Sequence, residues 1–285
     1  MTVCVITPSF NQGRFIQRTI DSVIGQDVPD LEYVVFDGGS TDETIDVLRR
    51  YDPCLTWVSE KDRGQSHAVN KGLQATRAPV IGWLNSDDIY YPGAIKKVLD
   101  FFDGNPDVDV IYGMAEHIDI NDRAFEPYPT EPWDPDRLRD TCFICQPSVF
   151  FRRSVVQRWG MLDERLNYCM DYEYWLRLAA RGAKFHYMQE KLSGSRLYAE
   201  NKTLGSRVKV HAEINDMQRR LLGRVQDAWL YNYAHAVVDA RIDRSKHPRR
   251  FVIELGLRSW LAAIRWNHSV SPDMRRLTGK WLLGR

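Results

Sequence analysis

The chain has no apolar run approaching the roughly 18 residues that a membrane span needs, so an integral membrane protein is excluded. Cysteine is scarce: the five present are odd in number and irregularly spaced, which argues against a disulfide framework. Cys142 and Cys145 form a lone CxxC, and Cys142-Phe143-Ile144-Cys145 reads as part of an apolar strand, so both are read as core thiols. His67, His117, His186 and His211 lack the spacing of metal ligands. No GxGxxG follows the first apolar run, only Pro8-Ser9-Phe10-Asn11-Gln12-Gly13, so a dinucleotide-dependent dehydrogenase fits poorly. No helix-turn-helix, finger or RNP-like motif is present, and nucleic acid is not an expected partner. Met1 to Thr7 lacks a basic n-region and a cleavage site; it reads as a first strand, and the cytosol is the expected location.

What is present is ordinary for a globular protein: 44% apolar and 27% charged residues over 285 positions, enough for one large α/β domain with an appendage. The net charge of +1 conceals an asymmetry. Residues 241–285 hold 11 Lys and Arg against 3 Asp and Glu, net +8, which leaves 28 against 35, net −7, for residues 1–240.

Short apolar runs alternate with helical periodicity from the start. Val3 to Ile6, Tyr33 to Phe36, Leu55 to Val58 and Val80 to Leu84 read as strands, the last of them buried, each followed by a polar loop and a helix. Four such units within 100 residues predict a mostly parallel, Rossmann-like sheet flanked by helices. In such sheets the loops after the strands share one rim, where ligands bind. The fourth strand ends in Asn85-Ser86-Asp87-Asp88. Two adjacent carboxylates repel one another unless a cation sits beside them, and hard oxygen ligands suit Mg²⁺ or Mn²⁺. The plainer alternative is a turn in which Ser86 or Asp87 caps a helix beginning near Pro92.

The ordered set TPSFNQ (7–12), QD (26–27), DGGSTDET (37–44), EKDRGQSHAVNKG (60–72) and WLNSDD (83–88) resembles the nucleotide-binding half of inverting family 2 glycosyltransferases with the GT-A fold. That resemblance covers about the first 115 residues. It implies a nucleotide-diphosphate sugar donor across the rim, contacted by Pro8, Phe10, Asn11, Asp37, Gly38, Asp62, Arg63, Gln65, Asn70, Asn85, Asp87 and Asp88. Asp88 and Asp87 would carry the divalent metal on the diphosphate. Many relatives have two acids where this chain has Asp37-Gly38, which leaves Asp62 or a backbone group to read the base.

Residues 116–203 complete the implied catalytic domain as its acceptor half, with 1–115 as the nucleotide-sugar half. A proline-rich stretch, Pro127 to Pro135, reads as an extended connector or lid without sheet pairing of its own. Asp171 precedes a helix closed by Gly182 and on pattern alone is an N-cap; by resemblance it is the general base for the acceptor hydroxyl. Met170 replaces the family's usual Glu there, and Glu173 is the fallback base. Arg196 and Lys202 are expected to add positive charge near the diphosphate, with Tyr198 where relatives often have histidine.

From 204 to 285 the pattern is helical, a basic C-terminal extension. Val208 to Tyr233 form a long three-and-four repeat suited to packing on the catalytic domain or on a second subunit, a route to a homodimer. Phe251 to Trp266 reads about equally as a docked amphipathic helix or a membrane-surface helix, and the charge tilts the reading toward peripheral contact with anionic lipid at the inner face of the plasma membrane. A glycan or lipid-linked saccharide in bacterial surface-polysaccharide assembly is the implied acceptor. The alternatives are a nucleotidyltransferase, for which the first loop offers only Arg14 to a phosphate, and a non-catalytic carbohydrate- or partner-binding module.

Overall fold

The structure, a computed structural model, describes residues 1–198 and 204–283. Lys202 and the expected boundary at 203 lie outside the described residues. The chain divides into two compact units, Met1–Asp134 with Phe143–Tyr198, and Pro135–Cys142 with the chain from Ala199.

The first unit is built on a nine-stranded sheet: β1 (Val3–Ser9), β2 (Glu32–Asp37), β3 (Thr56–Ser59), β4 (Val80–Trp83), β5 (Ile89–Tyr90), β6 (Val110–Ile118), β7 (Ala124–Pro127), β8 (Val149–Arg152) and β9 (Phe185–Arg196). The order is β3-β2-β1-β4-β8-β6-β9-β5, with β7 added to β6. The first four strands are parallel, and β1 aligns Val5 with Tyr33 on one side and Gly82 on the other. Every residue of β1 and β4 is buried, as continuous apolar runs require when helices cover both faces. Beyond β4 the sheet is mixed, because β8 enters antiparallel between β4 and β6, while β6 and β9 run parallel.

Helices α1 (Gly13–Ile24), α2 (Thr44–Arg50), α3 (Gln65–Ala75) and α4 (Ala94–Gly104) follow the first strands. Ile16, Ile20 and Val23 of α1 and Ile95, Val98, Leu99 and Phe102 of α4 are buried in the core with β1 and its neighbours, while Ile24 at the end of α1 is exposed. α4 is preceded by Gly93 rather than capped from Ser86 or Asp87, since β5 intervenes. The proline-rich segment is partly paired, contrary to expectation: Pro127 lies opposite Glu116 at an edge, where a missing N–H is tolerated. Nor does Cys142 to Cys145 form a strand; it leads into a 3₁₀ turn, Gln146–Ser148.

The chain continues through α5 (Arg137–Asp140), α6 (Arg153–Trp159) and α7 (Met170–Ala180), then α8 (Arg207–Leu222), α9 (Asp227–Asp239), α10 (Pro248–Asn267) and α11 (Pro272–Leu283). The long repeat predicted from Val208 to Tyr233 is broken at Gly223, whose φ of 74° is left-handed and ends α8. Within the second unit, the Arg139 carbonyl accepts from Gln218 Nε2 (2.6 Å) and Trp229 Nε1 (3.0 Å). Trp266 meets Tyr233 edge-on at 4.9 Å and donates to Asp216 at 2.6 Å.

Gly72 marks where α3 crosses β1, and a Cβ there would meet Ile6 Cγ2 well inside van der Waals contact. Gly72→Ala gains about 1 kcal/mol of helix propensity, but overpacking costs about 1–3 kcal/mol. A melting temperature lowered by several degrees is expected, and unchanged or raised thermal stability would refute the close crossing.

Candidate functional site

The loops leaving β1 to β4 do converge. Gly38 N donates to Ser9 O (2.8 Å), Asn11 N to Ser40 Oγ (2.7 Å) and Thr41 N to Asn11 Oδ1 (2.9 Å), which ties the first loop to the second. Asn11 itself takes a left-handed φ of 51°, a conformation asparagine tolerates. Asp37 is wholly buried and spent on loop geometry: its carboxylate accepts from the Gly39 and Ser40 amides and from the Ser40 and Ser59 hydroxyls. A carboxylate with four such partners holds the loop in shape. Asp42 does similar work by accepting from Gly13 N (2.9 Å) and the Thr44 hydroxyl (2.5 Å).

Beside this loop Phe10, Gly38 and Asp62 come together. Phe10 is 60% exposed, an unusual state for so large an apolar ring, and Pro8 next to it is buried. The space a Gly38 side chain would fill is taken by Asp62 Oδ2 at 3.0 Å and the Phe10 ring at 3.3 Å. Asp62 Oδ1 accepts from Gly64 N at 2.8 Å, which leaves its other oxygen against Gly38. Glycine at 38 thus makes room for an acid delivered from the third loop.

The acid pair sits at the end of β4. Asp88 is buried, its Oδ1 accepting from Arg196 N (2.9 Å) and its Oδ2 from Asn85 Nδ2 (3.1 Å). Asp87 Oδ2 accepts from the Tyr198 hydroxyl at 2.9 Å, and Gln12 Nε2 reaches the same hydroxyl at 3.3 Å. Burial and the neighbouring Asp87 carboxylate push Asp88 up to about 8, and burial raises Asp87 as well. Such a pair suits a hard divalent cation, which binds through one or two carboxylates and completes its shell with phosphate oxygens and water. Among the described residues no three His, Cys, Asp or Glu cluster for a metal, so the remaining ligands of a cation here would come from substrate and solvent.

Several expected ligands have other employment. Arg196 is 1% exposed: its guanidinium donates to the carbonyls of Asp87 (2.7 Å) and Asp119 (2.6 Å) and pairs with Asp122, with the Phe15 ring 4.7 Å away. It is therefore a buried post behind the acids, not a cation offered to a diphosphate. Asn70 is buried and exchanges hydrogen bonds with the backbone of Leu162 at 3.0 Å in both directions. Arg63 pairs with Glu164 at 2.5 Å on the surface. Gln65 donates to Asn85 (2.7 Å), which also donates to Gln146 (2.8 Å), and Gln146 in turn holds the Trp83 carbonyl (2.5 Å). Gln65 and Asn85 therefore act by fixing the acid loop, together with a glutamine no expectation named.

Asp171 lies half-buried in the first turn of α7, with Cys169 rather than Asp171 as the N-cap. The loop ahead of it is held to α3 by Asn70 and by Ser66, whose hydroxyl donates to Leu166 O at 3.3 Å. The first turns of α3 thus touch both the Asn85 loop and the segment leading to Asp171. Glu173 is buried in a two-pronged pair with Arg177 (2.8 and 3.1 Å), and Arg177 also holds the carbonyls of Trp159 and Met161. Glu173 is structural in this arrangement. Sequence reasoning gave Gln146 no role beside the acids and marked Tyr198 only as standing where relatives often have histidine.

A carboxyl whose pKa is raised on folding, here from about 3.9 toward 8, contributes stability at pH below the unfolded value and loses it as pH climbs through the folded one. In chelator, thermal stability should fall between about pH 4 and pH 8, and Asp88→Asn should remove part of that slope. Identical pH profiles for the two proteins would show that Asp88 is not the strained group.

The comparisons with known proteins agree with this geometry. The family model described as glycosyl transferase family 2 matches residues 4–160, more than half of the chain. An uncharacterized glycosyltransferase of Rickettsia prowazekii is 28% identical over 70% of this chain and 65% of its own length. Chondroitin synthase of Escherichia coli is 26% identical over 71% of this chain and 30% of its own, and hyaluronan synthase of Pasteurella multocida 26% identical over 81% and 24%. The chain thus spans less than two thirds of these relatives. Among solved structures, S. aureus TarS 1-349 in complex with UDP-GlcNAc superposes with a TM-score of 0.65 at 16% identity, covering 99% of this chain and 87% of that one. The mannosyltransferase PcManGT from Pyrobaculum calidifontis, in complex with GDP-Man and Mn²⁺, superposes at 0.62 and 18% identity, covering 98% and 78%. With the sheet order, the acid pair after β4 and the matched family model taken together, the chain belongs to glycosyl transferase family 2 and carries the GT-A fold.

Proposed function

We propose that the chain moves a sugar from a nucleoside-diphosphate donor to an acceptor hydroxyl with inversion at the anomeric carbon. The observation that carries this reading is the Asp87-Asp88 pair at the end of β4, with Asp88 buried and Asp87 partly so, on the same rim as the loops that bring Phe10 and Asp62 together at Gly38. Phe10, Gly38 and Asp62 receive the nucleobase, the ring stacking and the carboxylate accepting from a base N–H. Asp88 and Asp87 hold Mg²⁺ or Mn²⁺, which when bound offsets the negative charge of the departing diphosphate. Arg196 contributes by placing Asp88 through its main-chain N–H.

Asp171 accepts the proton of the acceptor hydroxyl. The hydroxyl oxygen bonds to the anomeric carbon from the face opposite the leaving group, and the carbon–oxygen bond to the diphosphate breaks with its electron pair going to the nucleoside diphosphate. Holding acceptor, sugar and base in line supplies much of the remaining acceleration. Similarity to proteins named as chondroitin and hyaluronan synthases supports a saccharide acceptor and a part in polysaccharide assembly, the acceptor being a glycan or a lipid-linked saccharide.

Asp88→Ala and Asp171→Asn should each lower turnover by about 10²-fold or more. Only Asp88→Ala should also abolish a Mn²⁺-dependent thermal shift with nucleoside diphosphates; equal loss of binding in both would reject the division of roles. Asp62→Ala should weaken nucleotide binding about tenfold while sparing the rate at saturating donor. A change in turnover alone, with nucleotide affinity intact, would remove Asp62 from the base slot.

A further inference from the structure

Helix α10 is apolar on two opposite sides. Phe251, Ala262, Ala263 and Trp266 are buried within the second unit, as an amphipathic helix requires. On the outer side Ile253, Leu257, Trp260, Leu261 and Ile264 are 41–56% exposed. At 3.6 residues per turn these five fall within an arc of about 100°, so they form one continuous stripe along the helix. Trp260 is fixed on it by an indole hydrogen bond to Thr278 Oγ1 of α11 at 2.9 Å. Contiguous exposed apolar surface of this kind marks a site of association, since leaving it wet forgoes the free energy of burial.

We propose that the outer face of α10 lies on an anionic lipid surface. The charge decides the occupant. Arg250 stands at the N-terminal end of the stripe and Arg258 and Arg265 along one flank; Glu254, the acid on that side, is paired with Arg258 at 3.6 Å. Residues 241–285 as a whole carry a net charge of +8 against −7 for the remainder. A second copy seated on the same stripe would bring two such basic regions together, which opposes association, whereas a negatively charged headgroup layer attracts them. Tryptophan and leucine on the inserted side with arginines at the headgroup level is the composition of helices that lie in a membrane interface. No helix among the described residues is long and apolar enough to cross a membrane, so the contact is one of surface docking.

Co-sedimentation of the full chain with vesicles tests this without nucleotide or turnover, so it stands or falls independently of the glycosyl-transfer reading. Vesicles of phosphatidylcholine containing phosphatidylglycerol should retain the protein, and phosphatidylcholine alone should retain far less. Added salt should weaken retention. The double substitution Leu257→Glu with Leu261→Glu should lower partitioning about tenfold or more while helix content and melting temperature stay unchanged, because both side chains are already exposed. Equal retention on both vesicle types, no retention on either, or retention untouched by the double substitution would overturn the proposal. So would a solution dimer that the double substitution dissociates, which would give the stripe to a second copy.

Discussion

Asp88 is a carboxylate kept out of water between a main-chain N–H and an amide, and the rest of the site is arranged to keep it there. Taking a charge out of water costs several kcal/mol unless partners replace the lost solvation. Here the replacement comes from far along the chain: Arg196, the last residue of β9, supplies the amide, and its own buried guanidinium is compensated by Asp122 and two carbonyls. The end of β9, the turn after β6 and the loop after β4 are therefore joined by polar contacts. The two acids remain mutually unfavourable in that setting, an arrangement that nearby positive charge relieves.

α3 links the two halves of the first unit. Its Gln65 fixes the acid loop through Asn85, its Ser66 and Asn70 fix the loop that leads to α7, and its Gly72 lets the helix settle against β1. The acid loop after β4 and the segment leading to α7 are thus referred to one element. Arg177 does the same for α7, binding Glu173 on its own helix and the carbonyls of Trp159 and Met161 ahead of it.

The first four strands and their helices were legible because β1, β2 and β4 are buried on both faces and the helices on one, which prints a run of apolar residues and then a 3.6-residue period; β3 is largely exposed and shows only as a short run. The acid pair was legible for the same reason, standing at the end of such a run. Asn70, Glu173 and Arg196 were not distinguishable from ligands, since their partners are a loop 92 residues away, a helical neighbour and a turn 74 residues back. A polar side chain carries no mark of whether it will be satisfied by protein or by substrate. The antiparallel insertion of β8 was likewise hidden, because an apolar run reads the same in either direction. In α10 the two apolar sides merge in sequence into a helix without a clear dry face, and only the fold separates them.

Residues Pro135–Cys142 leave the first unit and cluster with the second, where the Arg139 carbonyl is gripped by α8 and α9. The second unit is consequently discontinuous in the polypeptide. Severing the chain anywhere near residue 203 would not release an intact sheet domain on one side and an intact helical bundle on the other; the excised fragment would keep α5 with its binding groove missing. Grafting a different C-terminal module onto this sheet, whether in the laboratory or by recombination, therefore means exchanging two segments together.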